Sequence, residues 1–210
     1  MTKKKQAAQI VAALELEYPL AECSLEYKKP YELLISVRLA AQCTDARVNL
    51  TTPVLFARFP TLELLAQASA EDVEEIIRPC GLGRTKARDI VATCKMLLEV
   101  YGGIVPDNME QLLALPGVGR KTANLILGDV YGKPSIVTDT HCIRITGLMG
   151  LTSSKNPLLV ERQLREIIAP EKGNDFCHRL VLHGRAVCKA RSPQCAVCCV
   201  KPYCDYGKKQ

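Results

Sequence analysis

The stretch Leu115-Pro116-Gly117-Val118-Gly119-Arg120-Lys121-Thr122-Ala123-Asn124 leaves the chain few ways to fold around it. Pro116 fixes the entry, and Gly117 and Gly119 permit backbone conformations closed to other residues and a close approach to a ligand. An apolar-periodic run, Ala123, Leu125, Ile126, Leu127 and Val130, follows at once and reads as a helix. The free N–H groups of its first turn, together with the helix dipole, form an anion site suited to a phosphate. Arg120 and Lys121 add positive charge at the same place. One reading is a glycine turn between packed helices with a solvated Arg-Lys pair. The other is a helix-hairpin-helix that grips a DNA backbone, and the full string favours it far more than Gly-x-Gly alone.

The rest of the chain reads as helix. Gln6 to Leu16 places Ile10, Val11 and Leu14 at helical spacing. Pro30 sits at a first helical position ahead of Leu33, Leu34, Ile35, Val37 and Leu39, a run apolar almost all round and therefore central. Thr44 or Asp45 caps the next helix, which Pro53 is expected to split in two. Thr61 and Ser69 read as further caps, the second with Asp72 three residues on. The longest amphipathic pattern is Ile90, Val91, Cys94, Leu97, Leu98 and Tyr101, closed by Gly102-Gly103. Asn108 caps the short helix before the glycine hairpin. Thr138-Asp139 starts a helix, and Asn156–Ile168 and Asp175–Lys189 complete the set. No series of strands with hairpin turns is visible, so the class is all-α.

Residues 76–87 echo residues 112–123 at an offset of 36: helix, Gly-x-Gly turn, helix with an arginine just inside, Arg84 in one and Arg120 in the other. Any two helical hairpins share glycines and an apolar pair. Two loops contacting one nucleic acid is the sharper reading, with Leu82 free to wedge between bases. A formal net charge of +6 suits a polyanion partner. No apolar run approaches the ~20 residues a membrane span needs. The basic N-terminus lacks an apolar signal region, so a reducing, cytoplasmic setting is expected for the eleven cysteines, and a monomer is the default.

Cys188, Cys195, Cys198 and Cys204 are spaced C-x6-C-x2-C-x5-C on a polar, proline-containing segment. Four thiolates on such a loop hold either a tetrahedral zinc or a [4Fe–4S] cluster, and spacing alone does not separate the two. Cys199, adjacent to Cys198, is left out because neighbours rarely both reach one centre. Cys23, Cys43, Cys80, Cys94, Cys142 and Cys177 are scattered and read as small core residues.

Taken together, Ala41-Gln42-x-Thr44-Asp45, the glycine hairpin with Lys121, Val137-Thr138-Asp139-Thr140-His141, Leu182-His183-Gly184-Arg185 and the cysteine spacing resemble the endonuclease III family of DNA glycosylase/lyases over essentially the whole chain. The resemblance implies two helical domains with a DNA groove between them: residues 22–132, and residues 1–21 joined to 133–210. It implies a [4Fe–4S] cluster on the four cysteines and damaged double-stranded DNA as partner. By position, Lys121 matches the family's nucleophile and Asp139 its essential carboxylate. Gln42 matches the residue that fills the gap left by an everted nucleotide, and Leu82 the wedge on the opposite strand. His141 and Arg144 fall where the family also has His and Arg. Asp45, Arg84, Gly117, Gly119, Arg120, Arg185, Lys189 and Arg191 complete the expected DNA contacts. Gly147-Leu148 stands where many members carry Asn-Arg, so a basic contact is missing there, and Leu113 replaces an acidic residue.

The chemistry agrees. A base inside a duplex must be extruded at a cost of a few kcal/mol, which a filler and a wedge offset. Near a reference pKa of 10.4, roughly one lysine in ~2,500 is neutral at pH 7, a handicap of about 4–5 kcal/mol for an amine nucleophile. The helix N-terminus and Arg120 both disfavour a positive charge at position 121. Asp139 then serves as proton acceptor and as stabiliser of the cationic sugar; its bland role is a helix cap worth ~1 kcal/mol. The rivals are a monofunctional adenine glycosylase, which would lack the lysine, a pyrimidine-dimer glycosylase on the same scaffold, and a non-catalytic DNA-binding module with a structural metal, which would not need Lys121 and Asp139 together.

Overall fold

Thr2 opens the first helix: the Lys5 N–H donates to its hydroxyl, and α1 (Lys3–Glu17) follows with Gln6, Ala7, Ile10, Val11 and Leu14 on its buried face. The computed structural model describes residues 1–210 and contains no strand. The chain divides into two compact units, Cys23–Tyr131 and Met1–Glu22 with Gly132–Gln210.

In the unit of residues 23–131 the spine is α2 (Pro30–Leu39). Pro30 occupies a first-turn position, where a missing N–H costs nothing. Every residue from Tyr31 to Val37 is buried, and Leu39 with them, as the all-round apolar pattern requires. α3 (Asp45–Arg58) is capped by the Thr44 hydroxyl, which accepts from the Arg47 N–H. The expectation that Pro53 splits this helix is wrong: α3 runs through it unbroken. Pro53 lies on the exposed side, where water can take the carbonyl it deprives of a partner, while Val48 and Leu55 hold the opposite side in the core.

Thr61 and Ser69 cap α4 (Leu62–Gln67) and α5 (Ala70–Ile77), and the Ser69 hydroxyl donates to Asp72 at 2.7 Å. A 3-10 turn, Arg78–Cys80, leads into α6 (Gly83–Tyr101), which packs on α4, α5 and α2. Gly102 ends it in the left-handed conformation at φ 60. Asn108 caps α7 (Met109–Ala114), and α8 (Arg120–Asp129) returns against α7 and α2.

In the other unit α1 packs on α10 (Pro157–Ile167) and α11 (Gly173–Ala186), and α11 packs on α9 (Thr140–Leu148). α11 starts two residues before the expected Asp175 and stops three short of Lys189. The Val187 and Cys188 N–H groups both turn back to the His183 carbonyl, at 2.9 and 2.8 Å, and close the helix there. The last twenty residues form short 3-10 turns that dock on the end of α9. The Leu148 and Met149 carbonyls accept from the Tyr206 and Asp205 N–H groups. Buried Gln6 of α1 donates to the Met149 and Tyr203 carbonyls at 2.9 and 2.7 Å, tying the first helix to the last loop.

Candidate active site and nucleic-acid interface

The hairpin between α7 and α8 rests on an ion pair. Arg38 of α2 donates through Nε and Nη2 to Asp89 Oδ2 of α6, at 2.9 and 2.7 Å. Gly117 sits directly on that pair. A Cβ there would lie 2.6 Å from Asp89 Oδ2 and 2.7 Å from Arg38 Nε, and its φ of 69 disfavours any side chain. Thr93 of α6 adds a hydrogen bond to the Pro116 carbonyl at 2.8 Å. Gly119 departs from the sequence reading: its φ of −101 and ψ of 174 are extended backbone that any residue adopts. A Cβ at 119 would meet nothing, so the position faces open space. No side chain caps α8, whose first two residues are Arg120 and Lys121, both exposed. An uncapped helix start with two cations beside it is a ready anion site.

The echo at residues 76–87 folds differently in detail. Here the glycine equivalent to Gly119, Gly83, is already inside the helix, and Leu82 takes the capping position with φ 52. Leu82 is 55% exposed despite being apolar. Gln42, exposed in the turn between α2 and α3, has φ 56. A left-handed non-glycine residue costs roughly 1–2 kcal/mol, so both tips hold strain. Arg84 is exposed in the first turn of α6. Asp45 begins α3, where its carboxylate accepts from the Ser24 hydroxyl at 2.5 Å and complements the helix dipole.

Sequence reasoning missed Lys86. It is fully buried, and its ammonium donates to the Leu39 carbonyl at 2.8 Å and the Cys80 carbonyl at 2.9 Å. Burial pushes its pKa below the ordinary lysine value. The signal was present: Lys86 precedes Ile90, Cys94 and Leu97 on the buried stripe of α6, the one charge among apolar residues.

In the other unit Asp139 is the N-cap of α9 and accepts from the Cys142 N–H at 2.7 Å. Its capping role is therefore met, with the carboxylate half-buried at a helix start. One residue on, Thr140, His141, Arg144, Gly184, Lys189 and Ala190 line a cavity of about 410 Å3. Gly184 makes room for the His141 ring: a Cβ there would stand 2.2 Å from His141 Nδ1. Arg185, Lys189 and Arg191 are exposed at the end of α11 and just beyond it.

Cys188, Cys195, Cys198 and Cys204 gather in one neighbourhood: Cys198 interacts electrostatically with Cys199, Cys188 and Cys204, and Cys188 with Cys204 and Cys195. Cys199 adjoins the same group and also lies near Tyr18 and Glu17. No three of these or other Cys, His, Asp and Glu groups converge tightly enough for a single ion. Two N–H donors, from Arg144 and Gly207, are aimed at the sulfurs, and a ring nitrogen of His183 lies beside a third. Arg144 Nη1 lies 3.7 Å from Cys188 Sγ, His183 Nε2 3.5 Å from Cys198 Sγ, and the Gly207 N–H 3.3 Å from Cys204 Sγ. Donors of this kind suit thiolate ligands. His183, buried, has its pKa lowered to about 4, first by that burial and then by Arg144. Tyr18 OH, 3.1 Å from Nδ1, completes a chain that the sequence did not disclose.

Residues 35–170 match the family described as HhH-GPD superfamily base excision DNA repair protein. Endonuclease III of Synechocystis sp. is 43% identical over 204 residues, 97% of this chain and 93% of that protein. The chain belongs to the endonuclease III family. Its fold superposes on the structure of a trapped endonuclease III–DNA covalent intermediate with a TM-score of 0.93, at 41% identity, covering 100% of this chain and 99% of that one. A non-covalent endonuclease III–DNA complex gives the same TM-score and identity, with coverage of 100% and 98%. As a member of this family the chain is a base excision DNA repair enzyme, and it is all-helical as the family fold demands. No helix is long and apolar enough to cross a membrane. The stretch Gly147–Gly150 receives the C-terminal loop: a Cβ on Gly150 would overlap Asp205.

Proposed function

We propose that this chain removes oxidised or ring-saturated pyrimidines from duplex DNA and then cleaves the abasic strand by β-elimination. The observation that carries the reading is the exposed Lys121, at the uncapped start of α8 on a rigidly seated glycine hairpin, in a chain 41% identical to a protein solved as a covalent DNA intermediate. Gln42 and Leu82 enter the duplex and stabilise the everted nucleotide. Neutral Lys121 attacks the sugar C1′, and the C1′–N bond breaks as the base leaves with its electron pair and takes up a proton. Asp139 accepts the lysine proton and stabilises the positive sugar. The C1′–O4′ bond then breaks, its oxygen taking the electron pair and a proton, and the Schiff base so formed acidifies C2′–H; loss of that proton expels the 3′ phosphate.

The four cysteines fit a [4Fe–4S] cluster by number, spacing and N–H donors. Glycosyl cleavage moves no net electrons, so such a cluster serves by fixing the loop that carries Lys189 and Arg191. Gly117, Gly119 and Arg120 bind phosphate at the hairpin; His141, Arg144 and Arg185 do so beside the cavity.

Borohydride trapping tests the reading on duplexes carrying thymine glycol, an abasic site, or adenine opposite 8-oxoguanine. A covalent adduct on the first two is expected. Lys121→Gln abolishes it, whereas persistence of the adduct in that variant assigns the nucleophile elsewhere. Asp139→Asn keeps a good capping side chain and removes only the charge. Full activity in that variant reduces Asp139 to a cap.

A further inference from the structure

The two tips that the proposed function sends into the duplex, Gln42 and Leu82, lie in separate loops, and one side chain joins the roots of both. Leu39 is the last residue of α2, three before Gln42; Cys80 is the last of the 3-10 turn, two before Leu82. Carbonyls at helix ends lack intrahelical partners and carry the negative end of the dipole. Here both are buried, and both are taken by the Lys86 ammonium. The Lys86 N–H also holds the Leu82 carbonyl at 3.0 Å, so one residue grips the second tip through backbone and side chain together. An apolar residue at 86 would fill the space but leave two buried carbonyls unpaired.

We propose that Lys86 is a positioning residue for duplex invasion: it fixes the roots of the Gln42 and Leu82 loops to one another, so that filler and wedge arrive at a set spacing. This rests on the roles given to those two tips above. Lys86 touches no substrate. Its chemistry is that of a buried cation bridging two helix ends, which holds two strained loop tips to a single separation.

Single-stranded abasic DNA needs no wedge and no filler, and that separates positioning from folding. Single-turnover β-elimination is measured on single-stranded and duplex abasic oligonucleotides for the parent and for Lys86→Met. The duplex rate is expected to fall about tenfold or more, the scale of a small misplacement, while the single-strand rate stays near the parent's. Fluorescence of 2-aminopurine opposite a reduced abasic site reads tip insertion without chemistry, and its brightening is expected to be lost in the variant. Equal losses on both substrates, or brightening equal to the parent's, overturn the proposal. If the parent forms no adduct with any DNA, the proposed activity fails and the fluorescence arm alone decides Lys86. If Lys86→Met does not fold, Lys86→Gln, with an amide donor left, carries the same comparison. Failure of both to fold makes the residue purely structural and overturns the positioning role.

Discussion

Gln42 and Leu82 are the only two non-glycine residues of the chain with left-handed backbone, at φ 56 and φ 52. Both are exposed tips of short loops whose roots meet at Lys86. Strain at an exposed side chain with few contacts of its own does nothing for the fold, which is why it points to a task outside the fold.

Leu82→Gly separates the two. It removes roughly 1–2 kcal/mol of left-handed strain. Against that stands about 0.5–1 kcal/mol of extra chain entropy in the unfolded state. Thermal unfolding is expected to be unchanged or slightly higher, while the rate on duplex DNA falls. Leu82→Ala keeps the strain and should lose the same activity with no gain in stability. A Leu82→Gly variant that melts well below the parent would show that the side chain serves the fold after all.

Gly117 makes the opposite case, a residue whose lack of a side chain is structural. Alanine there would press its Cβ to 2.6 Å from Asp89 Oδ2 and 2.7 Å from Arg38 Nε while holding a φ of 69. Left-handed strain and a displaced ion pair together should cost about 1–3 kcal/mol, read by chemical denaturation. Asp89→Ala removes one of the obstructing groups, so the double variant should lose less than the sum of the singles. Strict additivity would mean that the loop is not seated on this pair.

The helices were legible because they repeat a local rule: apolar spacing with a capping Thr, Ser, Asn or Asp at the start. Pro53 was misread because sequence shows the missing N–H but not which side of the helix it faces. Gly119 was misread because a glycine looks alike whether it is needed for φ or for empty space. Lys86, Gln6 and the Tyr18–His183–Cys198 chain stayed hidden for another reason. Each is a long-range polar contact, 47 residues from Lys86 to Leu39 and 143 from Gln6 to Met149, and no local pattern encodes such partners. A lone charge on an apolar stripe was the one clue, and it says that a partner exists without naming it.

Lys86 also has a pH signature. Burial lowers its folded pKa below the 10.5 of a free lysine; the Cys43 and Cys80 thiols oppose that shift and Arg38 adds to it. Between the lowered value and 10.5 the unfolded chain binds more protons than the folded one, so this group's contribution to stability rises with pH across that window. Below the window the contribution is flat. The neutral amine still has two N–H groups for two carbonyls, so the bridge survives deprotonation. The stability of the parent minus that of Lys86→Met, from denaturant titrations between neutral and alkaline pH, is therefore expected to grow as pH rises. A difference that shrinks over that range would place the folded pKa above the ordinary value.

Removing the iron of the proposed cluster should strike DNA affinity before chemistry. Residues 188–204 bury little apolar surface of their own, and Cys195, Ala196 and Val197 are half-buried or exposed, so the proposed cluster would order the segment by cross-linking it through four sulfurs. Lys189 and Arg191 ride on it, whereas Lys121 sits in the other unit on the Arg38–Asp89 platform. Chelator-treated protein, or Cys198→Ala, should become sensitive to protease after Val187 and bind duplex more weakly. The slope of log affinity against log salt should drop by about one to two, near 0.9 for each phosphate that is no longer neutralised. Adduct formation at saturating DNA should stay close to the parent's, because Lys121 and Asp139 both lie outside the cysteine loop. A stripped protein with the parent's salt slope would mean that these cations never reach the phosphates, and a stripped protein that binds normally but forms no adduct would tie the cysteine loop to the chemistry itself.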